Sequence, residues 1–486
     1  FKQKTAYEML RSLVGSEMCI RDRESYVVVG PSAAAVKTYL ASKNSMRQGI
    51  PRDRLALIEK KFDAFLWLNM AAAGPAVKDT VRETLMGFMM LAAMGDPSVA
   101  GQAQQFIENV EKFLTQTKSI QVGISVGKPG VELDMYMQAK PDTQMAKGIA
   151  AWKATEKPLL WGLPAEPYIL AIGAAANGSL EQVKEGQMTI AGLFDNPMIK
   201  GVLDPEKTGD IKKLLDELME LGVQGEWTTM SLSRLPGGEE GMIGLTLIGR
   251  IPQGAQKQTA IVRKLVPAIL AAVTDEDARA ILDHIQYKAD AEKILGMSVD
   301  HVYVDLANIK DVEPSDIDAI KKIVGKDGLL VRIAAMGDDH VAMLFGGGSK
   351  RVEQVAEILK KGEMPLARDA GLEAIAPFLP KGKRFFEMYI AADTAMRTAN
   401  DVMEAAGEDK PITVEVPDIN APLAIVGTIE KDAQRLTIFA PMKMIKSIKD
   451  VITGVMTDKM MPTTDETTDE PPAEDKPAEP ENAEKN

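Results

Sequence analysis

The sequence contains little of what most disulfide-rich and metal-binding proteins use. Its 486 residues include one cysteine, Cys19, and three histidines, and aromatic residues make up 5% of the chain. A single cysteine cannot form an intrachain disulfide, and it cannot supply the several thiolates of a structural zinc site. The composition therefore excludes a disulfide scaffold and a cysteine-rich metal centre.

Long hydrophobic runs and regions of positive charge are also absent. The longest apolar run, Leu85 to Met94, is half of the roughly 20 residues that a membrane-spanning helix needs. The formal net charge is −13. Residues 24–462 carry −8 of it, and they contain no basic stripe. Neither a transmembrane segment in this chain nor nucleic acid as a partner is therefore expected.

Residues 1–23 resemble a translated sequencing adapter over their whole length. They contain no initiator methionine and no seven-residue apolar core of the kind that a signal peptide needs. We therefore treat this segment as an artefact and expect the true N-terminus, with any signal peptide or lipid anchor, to be missing. Cys19 lies in the same segment, so the body of the chain from residue 24 offers no thiolate nucleophile.

The body is organised around a recurring β-hairpin that ends at proline or glycine and leads into an amphipathic helix. In the clearest copy, Ile120, Val122, Ile124 and Val126 alternate with smaller or polar residues, which places the apolar side chains on one face of a strand. The turns contain proline, glycine or charged residues. Four copies are predicted: Ile120 to Met137, Trp227 to Pro252, Leu329 to Phe345 and Leu423 to Pro441.

Single strands precede the hairpins and complete a module of strand, helix or helices, hairpin and helix. They are predicted at 62–73, 168–176 and 385–392, with a degenerate copy at 301–306. A further strand at 26–32 is interpreted as part of a truncated module. Because the hairpins start about one hundred residues apart, we expect an internal repeat. The predicted modules are 24–160, 161–290 and 291–462, the last with two hairpins.

The C-terminal segment 463–486 differs from the body in composition. It contains nine acidic residues, two lysines and four prolines, and it has no large apolar side chain. Such a segment cannot bury enough apolar surface to offset the entropy of ordering. It is therefore predicted to be a disordered acidic tail that keeps the protein soluble.

Ser125 matches the spelling of two catalytic motifs, but its context fits neither. Gly123 to Gly127 spells the nucleophile elbow of serine hydrolases, which requires a strand-to-helix turn. Ser125 to Lys128 spells the Ser-x-x-Lys of penicillin-binding enzymes, and 207–209 supplies a Lys-Thr-Gly. Here Ser125 is predicted to lie inside a strand, and 207–209 to introduce a helix.

The histidines and one glycine-rich loop are the other candidates for chemistry. His340 follows Asp338 and Asp339 in a predicted turn, which favours a solvated turn over a metal site. His284 is expected on a helix and His301 on a strand, without a ligand-like partner. The loop 346–351 resembles a phosphate-binding loop but lacks its spacing, and Ser349 is predicted to be the N-cap of the following helix.

The fold class predicted from these patterns is α+β, with repeated modules of antiparallel hairpins packed against amphipathic helices. Residues 24–460 resemble uncharacterised secreted repeat proteins of planctomycete-like bacteria. The resemblance implies a bacterial protein exported to the periplasm or cell envelope. It implies no activity.

No set of residues predicts a catalytic, cofactor or metal site. The sequence therefore favours a non-catalytic exported protein that binds or scaffolds, with an apolar ligand or a protein as partner. A second interpretation is a carrier for a lipid or another apolar ligand, held between the sheet and helices rich in methionine. It predicts an apolar cavity of several hundred cubic ångströms (order of magnitude). A hydrolase with Ser125 as nucleophile is the third.

Overall fold

A computed structural model of the chain describes residues 21–23, 26–28, 62–70, 99–179, 201–309, 312–408 and 414–460, with a few single residues between these ranges. The chain divides into two compact units, Phe1–Phe65 with Gly123–Ser125, and Leu66–Val122 with Val126–Asn486. The predicted acidic tail lies outside the described residues. Most of the helices rich in methionine, which the carrier interpretation needs, lie outside them as well.

In the first unit, two short strands form an antiparallel pair. They are β1 (Arg21–Arg23), in the adapter-like segment, and β2 (Tyr26–Val28), which overlaps the first predicted strand. The rings of Phe62 and Phe65 stack with their centroids 6.2 Å apart. Gly123 lies against Phe62, since a Cβ there would be 2.6 Å from the ring.

The described residues also form a 13-stranded antiparallel sheet, which confirms the predicted α+β class. All four predicted hairpins and the three predicted single strands belong to it. Whether the modules are repeats, and where they begin and end, stays a prediction. The strands are β3 (Ala64–Asn69), β4 (Thr117–Val126), β5 (Gly130–Ala139), β6 (Tyr168–Ala175), β7 (Trp227–Arg234), β8 (Ile243–Arg250), β9 (Ile285–Ile294), β10 (Met297–Val304), β11 (Leu330–Met336), β12 (His340–Phe345), β13 (Lys383–Ile390), β14 (Leu423–Glu430) and β15 (Ala433–Pro441).

The order of the strands interleaves distant parts of the chain. It runs β3-β4-β5-β15-β14-β13-β6-β7-β8-β12-β11-β10-β9. Consecutive strands mostly remain neighbours, as antiparallel connections favour. The hairpin β14–β15 nevertheless inserts beside β5, and β13 lies beside β6, so segments more than 200 residues apart share hydrogen bonds.

One hairpin, β9–β10, was not predicted. Only its second strand was expected, at 301–306, and that strand in fact ends at Val304. β9 carries four charged residues in ten and sits at an end of the sheet. Charged residues are common on edge strands because they discourage pairing with other chains, and they hide the alternation that identifies a strand.

Ten helices lie within the described residues, and each predicted hairpin leads into one of them. They are α1 (Val99–Gln116), α2 (Gln144–Ala150), α3 (Pro205–Gln224), α4 (Ala255–Ala272), α5 (Glu276–Leu282), α6 (Pro314–Val324), α7 (Gly348–Lys361), α8 (Ala370–Ile375), α9 (Ala392–Ala405) and α10 (Met442–Met460). None of these helices is long and apolar enough to cross a membrane.

Local sequence explains where several helices begin. The Thr143 and Asp204 side chains accept N–H bonds in the first turns of α2 and α3, and Pro205 occupies the first turn of α3. Glu313 and Asp316 form a capping box at α6. At the C-terminus of α3, the Lys153 ammonium donates to the carbonyl oxygens of three residues, 223–225, where the helix dipole favours a cation.

One face of the sheet is covered and contains the main core. Leu159 and Leu163, together with Val352 and Val355 of α7, pack on it. Between residues 152 and 167 the chain runs across this face, and the backbone of Leu159 lies directly on Gly173 of β6. A Cβ at Gly173 would be 2.0 Å from the Leu159 carbonyl oxygen, so only glycine permits the contact.

The predicted apolar face of β4 is not the buried one, and α10 carries apolar residues on its buried and its exposed sides. On β4, Ser119, Gln121 and Gly123 are buried, whereas Ile124 and Val126 are exposed. On α10, Met444 and Val451 are buried while Ile445 and Ile452 are exposed. Periodicity identifies these elements correctly, but which face is covered depends on tertiary contacts.

Replacing Gly173 by alanine should destabilise the protein because the added methyl group collides with the backbone of Leu159. We expect a loss of about 3 kcal/mol in the free energy of unfolding, measured by urea denaturation. Gly209 of α3 is the control, since nothing lies within 4 Å of its Cβ position. Gly209→Ala should stabilise by about 0.5–1 kcal/mol. Equal effects of the two substitutions would contradict the close contact.

Candidate functional site

The structure places Ser125 inside β4, and not at a turn that leads into a helix. Residues 207–209 lie in the first turn of α3, as predicted. There Lys207 donates to the carbonyl oxygen of Ala271, at the end of α4, over 2.8 Å. Both motifs therefore lack the local geometry that their spelling requires.

His340 and the two aspartates before it have structural contacts. Asp339 accepts the Gln253 N–H and lies 3.5 Å from Arg250. The Gln253 N–H and the Arg250 guanidinium hold the pKa of Asp339 below its usual value. The His340 ring is 5.6 Å from that of Trp227, and burial lowers its pKa. In the described part of the chain, no three His, Cys, Asp or Glu residues are grouped as metal ligands.

The other two histidines are separate. His284 lies in the turn after α5, and not on a helix as predicted. His301 is on β10, as predicted, with its Nε2 3.2 Å from Glu292. Glu292 also accepts from Arg332 over 3.2 Å. Burial alone would raise the pKa of Glu292, but hydrogen bonds from Ser349 and Arg332 hold it below its usual value.

Ser349 is not the N-cap of α7, contrary to the prediction. The N-cap is Gly347, in the left-handed region with φ 73°, and its two neighbouring glycines are left-handed as well. The Ser349 hydroxyl instead donates to Glu292 over 2.5 Å. Glycine is required here because other residues rarely adopt three left-handed conformations in succession.

A cleft of about 260 Å³ opens beside this loop. Its lining includes Glu166, Glu240, Lys350 and Arg351. The Arg351 side chain is buried; it donates to Glu166 over 2.7 Å, to Thr246 over 2.8 Å and to Ser233 over 3.3 Å. Lys350 pairs with Glu240 over 3.0 Å. Each cation of the cleft therefore has its own carboxylate.

A buried glutamate binds the segment 152–167 that covers one face of the sheet. Glu387 on β13 is fully buried, and it accepts the Leu159 N–H and the Arg384 guanidinium, each over 2.6 Å. The Tyr389 hydroxyl is 3.3 Å away. Burial raises the pKa of Glu387, and the charge of Arg384 offsets only part of that effect. Neighbouring strands carry a similar group, in which Asp134 accepts from Arg435 over 2.6 Å.

The opposite face of the sheet carries a continuous apolar surface. Residues paired across neighbouring strands form two rows, each perpendicular to the strands. The first row consists of Leu133, Ile438, Ile425, Met388, Ile172, Met230, Leu247, Met343 and Ile333. The second consists of Val131, Ala440, Leu423, Ile390, Leu170, Leu232, Leu245, Phe345, Val331 and Val302.

We call these two rows the apolar face. No member carries a polar side chain, and all are half-buried apart from Ile333, which is buried, and Met343, whose exposed fraction is 39%. At strand spacings of about 4.8 Å, nine strands span roughly 38 Å. At one end α4 packs on the face through Ala255 and Val262. Met343 is the one member of the rows whose side chain is exposed.

Sequence reasoning did not find the apolar face as a site. Each residue belongs to an alternating strand, so the local signal was visible, but the rows exist only because seven separate segments pair in one register. The predicted ligand position beside methionine-rich helices falls largely outside the described residues. The methionines of the apolar face lie instead on strands, at 230, 343 and 388.

Comparisons with known proteins add no family. No protein-family model matches this chain, and no curated protein matches it. Among solved structures, crystal form I of TP0453 is similar with a TM-score of 0.20 and 10% identity, covering 63% of this chain and 99% of that one. Crystal form IV of TP0453 has a TM-score of 0.22 and 10% identity, covering 62% and 99%. Likeness at this level carries no argument about fold or function.

Replacing Arg351 by methionine should destabilise the protein by about 3 kcal/mol, because Glu166, Thr246 and Ser233 lose a buried donor together. Its neighbour Lys350 provides the control, since its side chain is largely exposed. Lys350→Met should change the free energy of unfolding by no more than about 0.5 kcal/mol. Similar losses in the two variants, measured by urea denaturation, would show that the buried network contributes little.

The pKa of Glu387 predicts a pH dependence of stability. Because the folded-state pKa is raised above the unfolded value, the folded state binds a proton more tightly, and its stability relative to the unfolded state rises as the pH falls. Glu387→Gln removes this titration. The unfolding free energy of the wild type minus that of the variant should therefore rise from neutral pH towards the usual pKa of glutamate, in urea titrations at each pH. A constant difference would contradict the raised pKa.

Proposed function

We propose that this chain is a non-catalytic binding protein whose ligand is apolar and lies on the apolar face. The observation that carries the proposal is the pair of uninterrupted apolar rows across the sheet. Contact with these rows requires no hydrogen bond from the ligand, and an apolar ligand gains about 25 cal/mol for each Å² removed from water. Met230, Met343 and Met388 suit this role because methionine adapts to irregular apolar shapes.

Supporting chemistry comes from the distribution of charge. The buried ionisable groups Asp134, Glu387 and Arg351 lie on the covered face, where each has a partner. Asp300, which is buried beside Ile333 at the end of the first row, is paired with Arg263. From β5 to β11 the two rows thus contain none of the charged groups that a hydrocarbon ligand would desolvate at a cost. Export to the periplasm or cell envelope remains part of the proposal and rests on the sequence.

Scaffolding through a protein partner is the second candidate. It is supported by Ile445 and Ile452, which are exposed seven residues apart on α10 and so lie on one side of the helix. Native mass spectrometry of the gently purified chain separates the two functions. Added mass that is lost on denaturation and recovered as lipid supports the carrier, whereas a bare dimer or higher assembly supports the scaffold.

A charge placed on the apolar face should abolish binding of an apolar ligand. Met343→Glu puts a carboxylate in the first row at an exposed position, where the fold tolerates it. We expect the affinity for dodecanol, measured by equilibrium dialysis, to fall about tenfold or more, because bound hydrocarbon would desolvate the carboxylate.

Leu295→Glu is the matched control for this experiment. Leu295 is 61% exposed in the turn between β9 and β10, outside both rows. The control should bind dodecanol like the wild type. If wild type shows no binding, or if both variants lose affinity equally, the apolar face is not the site.

A further inference from the structure

Arg234 is a charged side chain at the border of the apolar face. On β7 the buried residues Trp227, Thr229, Ser231 and Ser233 alternate with half-buried or exposed ones, which include Met230 and Leu232. Arg234 follows Leu232 by two residues, and it therefore stands on the same face, directly beyond the second row. A guanidinium next to hydrocarbon contacts suits an anionic group attached to an apolar chain.

The ion pair of Arg234 with its present partner is weak enough to be exchanged. Its Nε and Nη2 both donate to one oxygen of Asp401 on α9, over 3.0 and 2.6 Å. The side chains of Arg234 and Asp401 are 38% and 36% exposed, so water solvates each of them when they separate. Exposed pairs of this kind contribute little to stability. A carboxylate held beside Arg234 by its own apolar chain would compete well with Asp401.

Dimensions and chemistry favour an acyl chain over an extended peptide as the ligand beside Arg234. The distance from Leu232 on β7 to Met343 on β12 is two strand spacings, about 10 Å, and Leu245 on β8 lies between them. An extended peptide laid on these rows would place backbone N–H and C=O groups where no polar partner exists. A polymethylene chain has no such groups, and its one charged end would lie at Arg234.

From these contacts we infer that the ligand is a fatty acid, whose carboxylate pairs with Arg234 while its acyl chain lies across the apolar face towards Met343. This inference rests on the proposed function, which it deepens by naming the class of ligand. The Arg234 guanidinium presents two parallel N–H donors to a carboxylate. Arg234 thus gives selectivity for the head group, and the rows supply affinity for the chain.

The test compares ligands that share a chain and differ in the head group. Equilibrium dialysis of the full chain at pH 8 would measure its affinity for dodecanoate, dodecanol and dodecyltrimethylammonium, with each ligand below its micellar concentration. Wild type should bind dodecanoate about tenfold more tightly than dodecanol, as expected for one charge-assisted pair. Arg234→Gln should reduce the affinity for dodecanoate to that for dodecanol. Asp401→Asn, which removes the competing carboxylate, should raise it.

Arg397→Gln is the matched control, because Arg397 is another α9-associated arginine that pairs with Asp418 and the Val416 carbonyl, away from Arg234. It should keep the preference for dodecanoate. Equal binding of dodecanoate and dodecanol by wild type, or a preference that survives Arg234→Gln, overturns the inference and leaves the proposed function intact. Tighter binding of the ammonium ligand overturns it as well. If none of the three ligands binds, the proposed function itself is wrong.

Discussion

The contact of the Leu159 backbone with β6 and β13 determines which face of the sheet is covered. Gly173 offers no side chain, so the Leu159 carbonyl lies against the strand, and Glu387 on the adjacent strand accepts the Leu159 N–H. The backbone of a covering segment must satisfy its polar groups where water is excluded. Here a fully buried carboxylate does so, and Arg384 supplies the balancing charge.

Once this face is covered, polar residues on it need partners within the protein. Arg351 enters between Thr246 and Ser233, and Arg435 pairs with Asp134, so the buried charges are neutralised locally. Breaking one partner of such a pair is costly, which keeps the covering segments in place. On the opposite face such a network lies only at one end, where Asp300 of β10, the neighbour of Ile333, is buried and accepts from Arg263 and Tyr287. The sheet therefore carries most of its buried charge on the covered face, and from β5 to β11 the two rows of the opposite face are apolar.

The sequence was sufficient to predict local elements and insufficient to predict their pairing. Alternating residues such as those of β14 and β15 identified four hairpins, because the period of two is a property of the strand itself. β9 was missed since its charges mask that period. Serine is favoured at N-cap positions, which predicts Ser349 there, whereas Glu292, 57 residues earlier, accepts its hydroxyl. The buried sides of β4 and α10 likewise depended on distant segments.

The apolar face could not be found from sequence for the same reason. Leu133 and Ile438, neighbours in the first row, are separated by more than 300 residues, and Met388 meets Ile172 over more than 200. Each strand shows only that one side is apolar. The position of every side chain in a row follows from inter-strand register, which turns of known length fix within a hairpin but not between hairpins.

Electrostatics distinguishes the cleft beside α7 from the apolar face as a site for a ligand. In the cleft beside α7, Arg351 is buried against Glu166 and Lys350 meets Glu240, so an entering anion would have to displace a carboxylate that is already well placed. For Arg351 that exchange would also disturb hydrogen bonds to Thr246 and Ser233. Arg234 has a single exposed partner and borders a surface that contributes binding energy of its own. A ligand with both an apolar chain and a negative end gains from both at once, whereas the cleft offers only an exchange of equivalent ion pairs.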